Sequence, residues 1–180
     1  MSGSAFTRRK TLALAAAALC TPHVALARPG DGRTLSLRHA QTDERFDETY
    51  FADGLYEPDA TAQLDRLFRD FHAEESIEID VRLYDLLARL QEKHGRGAEP
   101  IVITSAYRTR ETNERLRRRN RWASANSLHV PGMAADLRIP GVPNARLVRT
   151  ARGLGMGGVG AYDGASFIHV DVGAVRFWRR

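Results

Sequence analysis

Two histidines and an aspartate in the second half of the chain form a candidate metal-binding set. His129 and Asp136 lie close together in sequence, and His169 follows near the end of the chain. Imidazole and carboxylate groups suit Zn²⁺, and a catalytic zinc site has three protein ligands and an open position for water. The sequence therefore predicts zinc as the cofactor, held by these three side chains, and hydrolysis by a metal-activated water as the chemistry.

The residues around the candidate ligands favour their convergence. Pro131 and Gly132 predict a turn between His129 and the strand that contains Asp136, so that both side chains can face one ion. The single cysteine, Cys20, excludes an internal disulfide and a cysteine-rich zinc module. The ligand set is therefore expected to consist of histidine and aspartate side chains.

Asp171 is the candidate for a second carboxylate at the site. In an extended segment, His169 and Asp171 point to the same side, because side chains alternate along a strand. Asp171 is therefore predicted to be the general base that activates the water, or a carboxylate that orients the His169 imidazole. Asp163, in a glycine-rich loop, is the weaker candidate for the base. The structural alternative is that Asp171 caps the turn at Gly173.

Arg108 and Tyr107 are the candidates for contacts with a substrate. Arg108 ends the strand that begins at Ile101, and loops at strand ends commonly carry functional side chains. Its guanidinium is predicted to bind a peptide carboxylate or the oxyanion that develops as water adds to an amide. Tyr107 is predicted to shape the wall of the substrate-binding cleft. The alternative for Arg108 is an ion pair at the surface.

Hydrophobic spacing predicts the elements that must position these side chains. Asp59 is predicted to cap a helix whose apolar face comprises Leu64, Leu67, Phe68 and Phe71. A second helix starts at about Asp80, and further helices are predicted over 111–120 and 144–153. Strands are predicted over 34–37, 45–51, 101–104, 134–139 and 167–172. The glycine-rich segment 155–160 is predicted to form tight turns.

The first 27 residues predict export of the protein. Arg8-Arg9-Lys10 precedes an apolar run over 11–19, and Ala25-Leu26-Ala27 fits a signal-peptidase site. The paired arginines resemble a twin-arginine signal, with an ordinary secretory signal as the alternative. Cleavage after this segment would leave 28–180 as one domain in the periplasm or cell envelope, with no permanent membrane span.

The length and the net charge of the chain indicate what class of protein it is. The chain has 180 residues, with 27 basic and 22 acidic side chains and a net charge of +5. Three of the basic residues lie in the signal segment, so that the body is close to neutral. A nearly neutral body of this size fits a single globular domain and argues against nucleic-acid binding. We expect the protein to be a monomer.

Three motifs occur in order along the chain. They are Ser105 to Thr109, the pattern Ser-x-His-x-x-Gly-x-Ala-x-Asp from Ser127 to Asp136, and His169-Val170-Asp171 followed by Gly173, Arg176 and Trp178. Together they resemble the D-Ala-D-Ala-type zinc peptidases, and within them the murein endopeptidase K branch. The resemblance implies an α+β fold with a small, mostly antiparallel sheet, flanking helices and a zinc-centred cleft. It also implies His129, Asp136 and His169 as metal ligands and Arg108 as the carboxylate or transition-state contact.

The chain departs from these relatives at one position. Many of them place a catalytic glutamate, aspartate or histidine a few residues before the last zinc histidine, whereas residues 165–168 here read Ala-Ser-Phe-Ile. This departure leaves the general base open between Asp171 and Asp163.

The export signal and the candidate zinc site together predict a function in the cell wall. The leading hypothesis is a zinc-dependent peptidoglycan endopeptidase that cuts amide bonds in the peptide stems or cross-bridges of the wall. One alternative is a D,D-carboxypeptidase that releases terminal D-Ala. The other is a non-catalytic, zinc-containing module that binds the wall.

Overall fold

The computed structural model describes Met1 and residues 32–94, 99–120 and 123–180. Apart from Met1, the predicted export signal and Cys20 lie outside the described residues, so the signal stays a prediction. Among the described residues, no helix is both long enough and apolar enough to cross a membrane.

Strands and helices are mixed along the described chain, which confirms the α+β class. The strands are β1 (Arg33–His39), β2 (Arg45–Ala52), β3 (Leu55–Tyr56), β4 (Ile101–Ser105), β5 (Ala134–Arg138), β6 (Gly158–Ala161), β7 (Ile168–Asp171) and β8 (Arg176–Arg179). The helices are α1 (Pro58–Leu67), α2 (Val81–His94), α3 (Arg110–Arg119) and α4 (Asn144–Leu154).

The strands form one sheet in the order β3-β2-β1-β4-β5-β7-β6-β8. Neighbouring strands are antiparallel except for the pairs β1–β4 and β6–β8, which are parallel. The predicted mostly antiparallel sheet is therefore confirmed. Its middle strands β5 and β7 are neighbours, and they carry Asp136 and His169, two of the candidate metal ligands.

The predicted apolar helix faces form much of the core. Helix α1 packs against β2, α2 against β1 and α4, and α4 against β6. The fully buried side chains on these faces include Leu64 of α1, Leu83, Leu87 and Leu90 of α2, and Leu147 of α4. Since burial of one such side chain contributes roughly 1.5–3 kcal/mol, these contacts fix the sheet that carries the candidate site.

Helix α1 differs from its prediction at both ends. Glu57 is the N-cap residue and Pro58 takes the first helical position, where its fixed φ and missing N–H suit the helix. Asp59 therefore lies in the first turn, where its charge favours the helix N-terminus. The helix ends at Leu67, so that Phe71 lies beyond it although its spacing is helical.

The glycine-rich segment 155–160 was predicted as tight turns, and this prediction is wrong for its second half. Gly158 begins β6, which pairs with β7 and with β8. A Cβ atom on Gly160 would lie 2.6 Å from the Trp178 indole, so the strand needs glycine there to let the indole lie against it. The two edge strands, β3 and β8, are short and were not predicted from the sequence.

Candidate active site

A turn and two paired strands bring the three candidate metal ligands together. His129 lies in a turn that ends at Gly132, whose φ of +70° is a conformation that favours glycine. Asp136 and His169 are direct partners in the antiparallel register of β5 and β7. Directly opposed residues of such a pair have neighbouring side chains on one face. The fold thus joins side chains that are remote along the chain.

The three ligand atoms form a nearly regular triangle. His169 Nδ1 lies 3.0 Å from Asp136 Oδ1 and 3.2 Å from His129 Nε2, and His129 Nε2 lies 3.3 Å from Asp136 Oδ1. Three ligands of a tetrahedral zinc ion, each about 2.0–2.2 Å from the metal, lie about 3.3–3.5 Å apart. The observed spacing and donor set therefore fit a zinc ion with one position left for water or substrate.

The second nitrogen of each imidazole is already engaged. His129 Nδ1 lies 2.6 Å from the carbonyl oxygen of Ala106, which can only accept a hydrogen bond. His169 Nε2 lies 3.0 Å from Asp171 Oδ2. These partners place a proton on His129 Nδ1 and on His169 Nε2. In the neutral imidazoles, the lone pairs then lie on His129 Nε2 and His169 Nδ1, the two atoms of the triangle.

Burial and neighbouring charges set the protonation of the triangle. Burial, together with the positive charge of Arg108, lowers the pKa of His129 to about 4, so its imidazole is neutral at neutral pH. Burial alone would raise the pKa of Asp136, but His129, His169 and Arg108 hold it well below its ordinary value. Burial opposes protonation of His169, yet hydrogen bonds to Asp136 and Asp171 raise its pKa.

Asp171 lies behind His169 and is fully buried. Its Oδ1 atom accepts hydrogen bonds from the backbone N–H groups of Gly158 and Gly173 and from Arg176 Nη1, at 3.1, 2.9 and 2.9 Å. Its Oδ2 atom accepts from His169 and from Arg176 Nη2, the latter at 2.7 Å. The carboxylate faces His169 Nε2 rather than the triangle. Asp171 thus lies behind the ring of His169, on the side away from the three candidate ligand atoms.

Arg108 joins the triangle to the end of β4. Its Nη2 atom donates to Asp136 Oδ2 at 2.6 Å, and its Nε atom donates to Ser105 Oγ at 2.8 Å. Its backbone N–H donates to the carbonyl oxygen of His129. Asp136 thus has one oxygen held by Arg108 and the other turned toward the histidines. Arg108 does form an ion pair, as its structural alternative proposed, but the pair is largely buried and its partner is a candidate metal ligand.

An open cleft of about 760 Å³ lies over the triangle. Its lining includes His129, Asp136, His169 and Arg108, so the candidate ligands are accessible from solvent through the cleft. Asp163 lies at its rim, where its exposed carboxylate accepts a hydrogen bond from Arg179 Nε at 2.8 Å.

The structure adds two aromatic residues to the site. The Trp178 ring centre lies 5.2 Å from that of His169, and Tyr162 also lines the cleft. Burial and the charge of Asp136 raise the pKa of Tyr162, whereas a hydrogen bond from Trp178 opposes the rise. Trp178 belongs to one of the three sequence motifs, but no role was predicted for it. Tyr162 was not predicted as a site residue, and its only sequence signal is its position in the glycine-rich loop.

Tyr107 is not part of this cleft. It lines a neighbouring cavity that shares Arg108 and Leu116 with the cleft. The structure therefore brings together Arg108 and the three candidate ligands, and it places Tyr107 on the other side of Arg108.

Open triangles of imidazole and carboxylate ligands at the floor of a cleft are typical of metal-dependent hydrolases. A family model described as peptidoglycan L,D-endopeptidase MepK, Peptidase_M15_2, matches residues 27–178. The chain belongs to this peptidase family, which confirms the resemblance found in its motifs.

Curated relatives extend over nearly the whole chain. A protein of Escherichia coli (strain K12) named peptidoglycan L,D-endopeptidase MepK is 36% identical over 176 residues, which cover 95% of this chain and 96% of the relative. A Haemophilus influenzae protein named probable peptidoglycan L,D-endopeptidase MepK is 35% identical over 147 residues, or 82% of this chain and 79% of the relative. No solved structure matched the chain.

Proposed function

We propose that this protein is a zinc-dependent endopeptidase that hydrolyses amide bonds in the peptides of the bacterial cell wall. The observation that carries the proposal is the triangle of three metal-ligand atoms on the floor of an open cleft. The family assignment supports it, and the names of the relatives direct attention to L,D bonds. Export by residues 1–27 to the periplasm is part of the same proposal.

His129, Asp136 and His169 would hold the zinc ion through the three atoms of the triangle. When bound, zinc would polarise the carbonyl of the substrate and lower the pKa of a water toward about 7. Asp171 keeps the His169 ring in the tautomer and orientation that direct Nδ1 into the triangle. Arg176, which holds both oxygens of Asp171, fixes that carboxylate in turn.

Arg108 and Tyr162 are the hydrogen-bond donors that face the substrate. Among the residues that the structure describes, no partner is found for Arg108 Nη1, so this group is open to a substrate oxygen. The Tyr162 hydroxyl lines the same cleft, and burial raises its pKa, so that the hydroxyl carries its proton. Both donors can stabilise negative charge as it develops on the carbonyl oxygen of the peptide. We assign the water-activating base to neither Asp171, which faces away, nor Asp163, which pairs with Arg179 at the rim.

The proposal is tested with purified protein, with and without zinc, on intact sacculi and on soluble cross-linked muropeptides. We expect zinc-dependent release of separated peptide stems, identified by mass. Release of free D-Ala alone would indicate a D,D-carboxypeptidase. Zinc binding at one ion per chain without cleavage of either substrate would contradict the proposal and indicate a wall-binding module.

A further inference from the structure

A second cavity, of about 260 Å³, adjoins the cleft on the far side of Arg108. We call it the side cavity. Arg108 and Leu116 line both spaces. Tyr107, the other predicted substrate contact, lines the side cavity and not the cleft. The two spaces are therefore neighbours, with Arg108 and Leu116 between them.

Two arginines of α3 line the side cavity. Burial, together with the nearby carboxylates of Glu75, Asp70 and Glu111, raises the pKa of Tyr107 there. Arg115 and Arg119 are four residues apart and so lie one above the other on one helix face. Arg115 Nη2 donates to Thr112 Oγ1 at 2.9 Å. Within residues 32–94, 99–120 and 123–180, neither Arg115 nor Arg119 forms an ion pair.

The other charged groups of the side cavity already have partners. Arg69 pairs with Glu44 and with Glu74, at 2.6 and 3.0 Å, and Arg108 pairs with Asp136. Arg69 is therefore already neutralised by two carboxylates, and Arg108 is shared with the triangle.

Asp70, the acid that lines the side cavity, is buried and directed at the backbone. Its Oδ2 atom accepts from the backbone N–H and the hydroxyl of Thr109, at 2.9 and 3.1 Å. Its Oδ1 atom accepts from the backbone N–H of His72 at 3.1 Å. Asp70 therefore does not pair with Arg115 or Arg119, whose guanidinium groups remain available to an anion from solution.

We propose that the side cavity binds a carboxylate-bearing segment of the wall peptide, with Arg115 and Arg119 as the carboxylate contacts and Tyr107 as a wall. The inference rests on the proposed function. Wall peptides carry free carboxylates on their diaminopimelate and glutamate residues, and guanidinium groups bind carboxylates in paired, directional hydrogen bonds. An endopeptidase must hold its substrate on both sides of the cleaved bond. The cleft and the side cavity, which meet at Arg108, provide two such binding regions.

The test compares two double variants of α3. R115Q/R119Q removes both proposed contacts, whereas R117Q/R118Q removes the same charge from exposed residues that line neither space. Each variant is assayed on a cross-linked muropeptide dimer with free carboxylates and on the same dimer with those carboxylates amidated. We expect R115Q/R119Q to raise KM for the free dimer about tenfold or more, with kcat within about twofold. KM for the amidated dimer and the kinetics of R117Q/R118Q should stay within about twofold of the parent values.

A binding measurement separates this inference from the proposed function. Calorimetry in the His129→Ala background measures the affinity for the uncleaved free dimer, and R115Q/R119Q should weaken it about tenfold. An equal loss with the amidated dimer, an equal loss with R117Q/R118Q, or no loss at all would overturn the inference. If the parent protein cleaves neither dimer, the proposed function fails, while the binding measurement still decides whether the side cavity takes a carboxylate.

Discussion

Two polar clusters of this protein, one half-buried and one buried, use an aspartate in opposite ways. In the first cluster, Asp85 of α2 accepts hydrogen bonds from the hydroxyl groups of Tyr50 and Tyr56, both at 2.9 Å, and pairs with Arg33. Every contact joins a donor to an acceptor. In the triangle of His129, Asp136 and His169, the three atoms that meet are acceptors in the neutral imidazole and ionised carboxylate forms.

The difference shows what distinguishes a structural cluster from a metal site. The Asp85 cluster is complete without any added group, because its donors and acceptors match. The triangle instead brings acceptors together, since Ala106 and Asp171 face the other nitrogen of each histidine. The neighbouring donor is Arg108 Nη2, which lies 2.6 Å from Asp136 Oδ2 and 3.4 Å from His129 Nε2. Buried acceptors that face one another thus indicate a cation site more strongly than the residue types do.

The largest expected effect comes from removing one corner of the triangle. His129→Ala should abolish stoichiometric zinc binding and lower hydrolysis by on the order of a thousandfold or more, because two protein ligands do not retain the ion. The free energy of unfolding of the metal-free protein should fall far less than for a core truncation. Zinc content by mass spectrometry, muropeptide cleavage and denaturant titration measure the three quantities. Retained zinc at one ion per chain would contradict the assignment of His129.

A substitution of Asp171 tests whether this carboxylate orients the metal ligand His169 or acts as the base that takes a proton from water. Asp171→Asn keeps the shape but removes the charge, so zinc affinity should fall about 10–100-fold. At saturating zinc, kcat should remain within about tenfold of the parent value. Titration against a competing chelator gives the affinity, and cleavage at several zinc concentrations gives kcat. A loss of about 100–10,000-fold at saturating zinc, with affinity unchanged, would instead identify a general base.

If the comparison of the two clusters is correct, a substitution of Asp85 should lower the stability of the fold and leave zinc binding intact. Asp85→Ala leaves Tyr50, Tyr56 and Arg33 without their acceptor, and we expect the free energy of unfolding to fall by about 2 kcal/mol. The folded variant should still bind one zinc ion per chain and cleave muropeptides at close to the parent rate. Denaturant titration and zinc analysis on the same sample measure both effects. Loss of zinc by the folded variant would show that the clusters are coupled.

We expect the smallest effect on activity and stability from a substitution of Asp163, which serves as the reference for an exposed carboxylate. Its side chain is 67% exposed and pairs with Arg179, whose side chain is 70% exposed. Asp163→Asn should therefore change kcat/KM by less than about threefold and stability by less than about 0.5 kcal/mol. A hundredfold loss of kcat, with zinc content unchanged, would show that Asp163 acts as the base.

Local sequence patterns predicted the parts of the fold that depend on local preferences. The helical spacing of Leu83, Leu87 and Leu90 predicts a buried face on α2, and the structure buries all three. The β-branched run that begins at Ile101 likewise predicts β4. The ends of α1 were predicted less well, because helical spacing continues to Phe71 while the chain turns away after Leu67.

The sequence by itself determined the residue types of the candidate site, since imidazoles, a carboxylate and the motif around His129 are legible without coordinates. The tertiary structure alone decided how they face one another. Register pairs Asp136 with His169, and the lack of side chains on Gly158 and Gly160 lets Arg176, Asp171 and Trp178 pack behind and beside that histidine. These contacts join segments far apart along the chain. Their geometry depends on strand pairing and close packing, which no local pattern specifies.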